Sequence, residues 1–136
     1  MRLNTYLFFD GNCEEAFDFY TKNLGGKVQS LMRFEGSPAA TFVPPDWQKK
    51  ILHARISIGD VVVMASDAPP GRFRGAQGFA VALGTDTPEE AERIFKALAS
   101  GGQVSMPIEK TFFAERFGML VDRFGTPWAV SCERPA

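Results

Sequence analysis

The chain has 136 residues, 45% of them hydrophobic and 12% aromatic, enough for one domain that buries a core without disulfide staples. Its formal charge is -1, with 15 basic and 16 acidic residues dispersed along it, so it lacks the basic footprint of a nucleic-acid binder. No run approaches the roughly 20 apolar residues of a membrane span. Cys13 and Cys132 form neither a CxxC nor a disulfide framework, which points to a reducing cytoplasm. The opening MRLNTYLFFDGNCEE has too short an apolar run for a secretory leader, and none is expected.

TYLFF (5–9) predicts a first strand, ended by a turn at Asp10-Gly11. Asn12 with Glu15 three positions on is close to a capping box. Cys13, Ala16, Phe17, Tyr20 and Leu24 then recur at helical spacing, and Gly25-Gly26 stops the helix. KVQSLMRF (27–34), HARISI (53–58) and VVVMAS (61–66) follow as strands, the last two joined at Gly59-Asp60. Before HARISI lies the 36–50 loop, where Trp47 sits among polar residues and prolines as a candidate lid over a cleft or a cover for a partner. DAPPGRFRGAQ (67–77) is a Pro/Gly-rich link, in which Arg72 and Arg74 read as a solvated pair.

The same order then returns. GFAVAL (78–83) predicts a strand, Thr87-Pro88-Glu89-Glu90 a capping box with Pro at the first helical position, and Gly101-Gly102 a second helix stop. Thr87 follows Asn12, and Gly101 follows Gly25, by nearly the same offset, so the chain reads as an internal repeat. QVSMPIEKTFF (103–113), RFGMLV (116–121) and PWAVSC (127–132) complete the second half, with a turn at 122–126. Glu115, Asp122 and Glu133 flank this last hairpin and are expected to be solvated.

The fold class is therefore α+β. Two βαβββ modules, about 1–68 and 76–136, are joined by 67–77 within a single domain, 1–136. Neither half can bury both sides of its sheet. Paired, each sheet takes a helix on one face and turns the other inward, which predicts a cupped, mixed, mostly antiparallel sheet. The concave interior of such a sheet is a default ligand site. Alternation in HARISI puts Ala54, Ile56 and Ile58 on the helix side and His53, Arg55 and Ser57 toward the cleft. Those three polar groups suit an anionic or carbonyl-bearing ligand. His53 is the only histidine and the natural acid or base if chemistry occurs. Cys13 lies on the apolar stripe of its helix, and both cysteines are expected in the core.

YLFFDGNCEEAFDFYTKNLGG, HARISIGDVVVMASD and FGMLVDRFGTPWAV together resemble the vicinal oxygen chelate superfamily of glyoxalases, bleomycin-resistance proteins and dioxygenases. The resemblance is strongest to its PhnB-like branch, also labelled demethylubiquinone methyltransferase-like. It implies paired βαβββ modules, a U-shaped cleft and a homodimer. It also implies, in the enzymes of the group, a divalent metal held by His, Glu or Gln on the first and last strands of each module. Aligned residue by residue, those slots read Thr5, Met64, Phe79 (or Ala80) and Ala129, none of them a suitable ligand. The expectation is a metal-independent protein without cofactor, binding a small organic molecule through His53, Arg55, Ser57, Trp47, Met64 and Phe79. The alternative is a superfamily enzyme of lyase, isomerase or dioxygenase type with a displaced or absent metal. A methyltransferase would need a glycine-rich βα turn for its nucleoside cofactor, and none is present.

Overall fold

The structure, a computed structural model, describes residues 1–133. It divides into two compact units, Met1–Gly75 and a second from Ala76 onward. In the first, β1 (Thr5–Phe9) leads into α1 (Cys13–Leu24), followed by β2 (Lys27–Arg33), β3 (Ile51–Ile58) and β4 (Val61–Asp67). The sheet order is β1-β4-β3-β2, with β1 parallel to β4 and the other pairs antiparallel. The second unit repeats this as β5 (Val81–Gly84), α2 (Pro88–Ala99), β6 (Gln103–Glu109), β7 (Ala114–Val121) and β8 (Pro127–Glu133), in the order β5-β8-β7-β6. Each unit is thus a four-stranded mixed sheet with one helix, the α+β class expected. The 36–50 loop forms two short 3-10 turns, Pro38–Phe42 and Pro45–Trp47. Gln48 ties the loop to itself by donating to the carbonyls of Ala40 and Val43.

Each sheet buries the face turned to its helix. Leu7, Phe9, Ala54, Ile56, Val63 and Ala65 are buried with Ala16, Phe17 and Tyr20 of α1. Phe9 meets Phe17 edge-on, ring centroids 6.3 Å apart. In the second unit Leu120, Trp128 and Val130 are buried with Ala91, Ile94, Phe95 and Leu98 of α2. Burying each large apolar side chain contributes roughly 1.5–3 kcal/mol. Gly118 permits the helix to approach, since a Cβ there would stand 2.7 Å from Phe95 Cε2.

The two helix stops show the repeat at atomic scale. A Cβ on Gly26 would stand 2.6 Å from the carbonyl oxygen of Ser57 in β3, and one on Gly102 would collide with the carbonyl oxygen of Val121 in β7. The second glycine of each Gly-Gly pair therefore lets the chain leave its helix across the end of the third strand of its own unit.

Two local expectations need correction. Asn12 makes no side-chain cap bond; the amide of Cys13 donates instead to Oδ1 of Asp67, at 2.9 Å. That carboxylate reaches α1 from the far end of β4, and its other oxygen accepts from the Ile51 amide at 2.8 Å. Thr87 does cap α2, accepting from the amide of Glu90 at 3.2 Å. The strand expected over 78–83 begins only at Val81, because Gly78 adopts a left-handed φ of 79° and ladder pairing starts at Val81–Trp128.

Candidate functional site

Residues paired across a β-ladder project to the same side of the sheet. In the first unit the helix-side row runs Leu7, Ala65, Ala54, Leu31. The neighbouring register gives an opposite-side row of Tyr6, Met64, Arg55 and Ser30, one residue from each strand. Beside it lie the pairs Phe8–Ser66 and Met32–His53. His53, Arg55 and Ser57 therefore share the face turned from α1, together with Met64.

This face is aromatic, thioether-rich and cationic. The Tyr6 hydroxyl is 3.1 Å from Nδ1 of His53, within hydrogen-bond reach across two strand boundaries. The two rings tilt against each other with centroids 5.7 Å apart, and Tyr6 meets Phe8 at 5.1 Å. Arg55 donates through Nε to Oε1 of Gln29 at 2.9 Å. Lys27 pairs with Ser57 and adds a second cation, and no strand residue on this face is acidic. Phe8 is 62% exposed and Met32 51%, so large apolar groups stand open on a sheet face, which marks a place for a ligand or partner.

The second unit presents a different face. Its rows read Ala82, Ala129, Met119, Met106, and Gly84, Ser131, Phe117, Glu109. Where β1 carries Tyr6 and Phe8, β5 carries Ala82 and Gly84, and neither row holds a cation. The polar chemistry is concentrated in the first unit.

Register also locates the residues expected at the metal slots. Thr5 pairs with Val63 and shares the helix-side face of Leu7 and Phe9; the β1 residue opposite Met64 is Tyr6. Phe79 lies ahead of β5, leaving Ala82 opposite Ala129. A one-residue slip moves a side chain to the other face of a sheet, which is all that separates Thr5 from Tyr6, whereas Phe79 stands three residues ahead of Ala82. Tyr6, Met64, Ala82 and Ala129, paired by register, offer a phenol, a thioether and two methyl groups, which do not fit a divalent cation. Among the described residues no three His, Cys, Asp or Glu side chains gather into a metal-binding group. Trp47, expected as a lid or a cover for a partner, lies against Gly11, where a Cβ would come within 2.9 Å of its ring, and Lys50 stands 5.9 Å from the ring centroid.

A crevice of about 630 Å³ opens around the start of α1 and is lined by charged groups including Glu14, Glu15, Arg33, Lys50 and Asp67. Two of its charged groups pair with each other, and a third is held by backbone amides. Arg33 forms a two-pronged ion pair with Glu14, at 3.0 and 2.9 Å, which holds the Glu14 carboxyl below its ordinary range. The Asp67 carboxylate accepts from the amides of Cys13 and Ile51, and from Gly11. Burial still holds its pKa above the ordinary carboxylate value, the backbone donors opposing. Burial, with Asp67 and Glu14 nearby, also pushes the Cys13 thiol far up and out of nucleophilic use. Glu14, Arg33 and Asp67 are thus engaged within the crevice, whereas the open sheet face combines polar groups with exposed aromatic and thioether surface and is the better candidate site.

Sequence reasoning also missed Asp122. Expected to be solvated, it is 3% exposed and accepts from the amides of Phe124 and Thr126 and from Nε1 of Trp128 at 2.9 Å. The signal was available, since an Asp at a turn two residues before a backbone donor is an Asx-turn pattern.

Two βαβββ units, each with a helix on one sheet face and the other left open, define a glyoxalase-type fold. The chain belongs to the Glyoxalase/Bleomycin resistance protein/Dioxygenase superfamily, whose model matches residues 2–130. It is 34% identical to Protein YjdN of Escherichia coli K12 over 139 aligned positions, 96% of this chain and 95% of that one. The crystal structure of protein PA1353 from Pseudomonas aeruginosa is similar at TM-score 0.90 and 45% identity, over 99% of both chains. The PhnB protein of Bacillus cereus, described provisionally as a 3-demethylubiquinone-9 3-methyltransferase, is similar at TM-score 0.82 and 26% identity, over 97% of this chain and 99% of that one.

Proposed function

We propose that the protein binds a small organic molecule on the open sheet face of its first unit, without a metal, as a homodimer in a reducing cytoplasm. The observation that carries this reading is the Tyr6–His53 hydrogen bond set among exposed Tyr6, Phe8 and Met32. A few oriented polar groups on an apolar surface is the general composition of a ligand site. Arg55, Ser57 and Met64 complete the contact set. Trp47 and Phe79, expected from the sequence as contacts, are peripheral to it in this reading. Methyltransfer has no support in the chain: the β1–α1 turn is Asp10-Gly11-Asn12, and the amide opening its helix is taken by Asp67.

The test is a thermal-shift and calorimetric screen of aromatic and amphipathic small molecules against protein purified without chelator. At least one should bind, and His53→Ala and Tyr6→Phe should each weaken it by roughly tenfold, equivalent to about 1.4 kcal/mol. A panel without a single binder, or binding untouched by both substitutions, would remove the reading. A stoichiometric divalent ion in the purified protein would transfer the chain to the enzyme alternative.

A further inference from the structure

Phe8 belongs to a second feature. Beside it a cavity of about 260 Å³ is lined by Phe8, Ala68, Arg72, Arg74 and Gly75. The loop that carries the arginines is built, not merely exposed. Its root is tied to β1, the Ala68 amide donating to the carbonyl of Phe9 at 2.8 Å, and the amide of Arg72 closes a turn on the carbonyl of Pro69 at 2.9 Å. Gly71 and Gly75 bracket the segment in left-handed conformations, φ 80° and 75°, that other residues rarely adopt. Between them Phe73 is half-buried while Arg72 and Arg74 are exposed, so the alternation that anchors the loop offers both cations.

The guanidinium of Arg72 has no hydrogen bond or ion pair among the described residues. Arg74 makes one long bond, Nη1 to the carbonyl of Gly71 at 3.3 Å. No Asp or Glu lines the cavity, and the neighbouring sheet face adds Arg55 and Lys27 without an acid. A concave site of one charge sign, walled partly by an aromatic ring, attracts and holds an anion. Its volume is below the ~300–1,000 Å³ of pockets that enclose whole ligands, so it suits one end of a molecule.

We propose that Arg72 and Arg74 form the subsite for the acidic head of the ligand, a carboxylate or phosphate group, whose apolar body lies over Phe8 and Tyr6. This rests on the open-face reading and names its ligand class: an organic anion with an aromatic or hydrocarbon body. The GRFRG segment is then a recognition loop in addition to a link.

Calorimetric titration of 2-naphthoate, 2-naphthyl phosphate and the neutral 2-naphthol tests it, using the full chain and an Arg72→Ala/Arg74→Ala double variant. Circular dichroism should confirm that the variant is folded. At least one anionic probe should bind wild type more tightly than naphthol, with an affinity that falls as salt is raised. In the double variant that probe should lose roughly tenfold or more, while naphthol changes less than about twofold. Whichever anion loses more identifies the head group. Equal binding of anions and naphthol to wild type, or undiminished anion binding by the variant, overturns the subsite and leaves the open face standing. Phe8→Ala should weaken all three probes; naphthol binding indifferent to Phe8 overturns the open-face reading itself, and a wild type that binds none of them overturns the subsite.

Discussion

Asp122 carries the last hairpin on a single carboxylate. Both oxygens are used, Oδ1 by the amides of Phe124 and Thr126 and Oδ2 by the indole N–H of Trp128. Asp122→Ala strands these donors in a buried turn. Leaving one buried donor unsatisfied costs about 1–3 kcal/mol, so a loss of roughly 3 kcal/mol or more is expected in urea denaturation. Asp122→Asn keeps one acceptor oxygen and should recover part of it. A loss below about 1 kcal/mol for the alanine variant would show that water satisfies the turn. Tyr6 and His53 illustrate the opposite economy. Their bond lies on an open face, where a hydrogen bond contributes little to stability.

At the scale of elements, the two helices begin alike in sequence and differently in space. α2 is capped locally by Thr87, and Thr87→Ala should cost about 1 kcal/mol. α1 is served by Asp67 from β4, so Asn12→Ala should change stability by less than about 0.5 kcal/mol despite its cap position. Paired denaturation curves of the two variants check the contrast, and equal losses would contradict it. Element identities were legible because period and glycine punctuation are local: TYLFF is β1 over the expected residues, and both apolar helical stripes are buried except for the half-buried Leu24. Strand faces were legible where alternation was unbroken, as in HARISI. They were not legible at Thr5, where both parities carry plausible residues and only pairing with β4 chooses between them.

At the scale of the molecule, the repeat is visible as two units of one strand order, and the units have diverged in what their open faces carry. Tyr6, Phe8, His53 and Arg55 have Ala82, Gly84, Phe117 and Met119 as register counterparts. The single domain expected over 1–136 is a statement about cooperativity, and the cysteines report on it. Cys13 is buried in the first unit and Cys132 in the second. Pulsed alkylation read by mass spectrometry along a denaturant series should expose both at one midpoint. Separate midpoints would make the units independent domains.

The sequence by itself determined the α+β class, the doubled βαβββ order, the helix stripes and the family, because each rests on local periodicity and on glycines whose conformational freedom has no substitute. Tertiary structure alone decided which first-strand residues look out of the sheet, which carboxylate caps α1, and that GRFRG stands beside Phe8. Register, capping at a distance and loop placement are relations between segments far apart in the chain, and ladder pairing and burial settle them only when those segments meet.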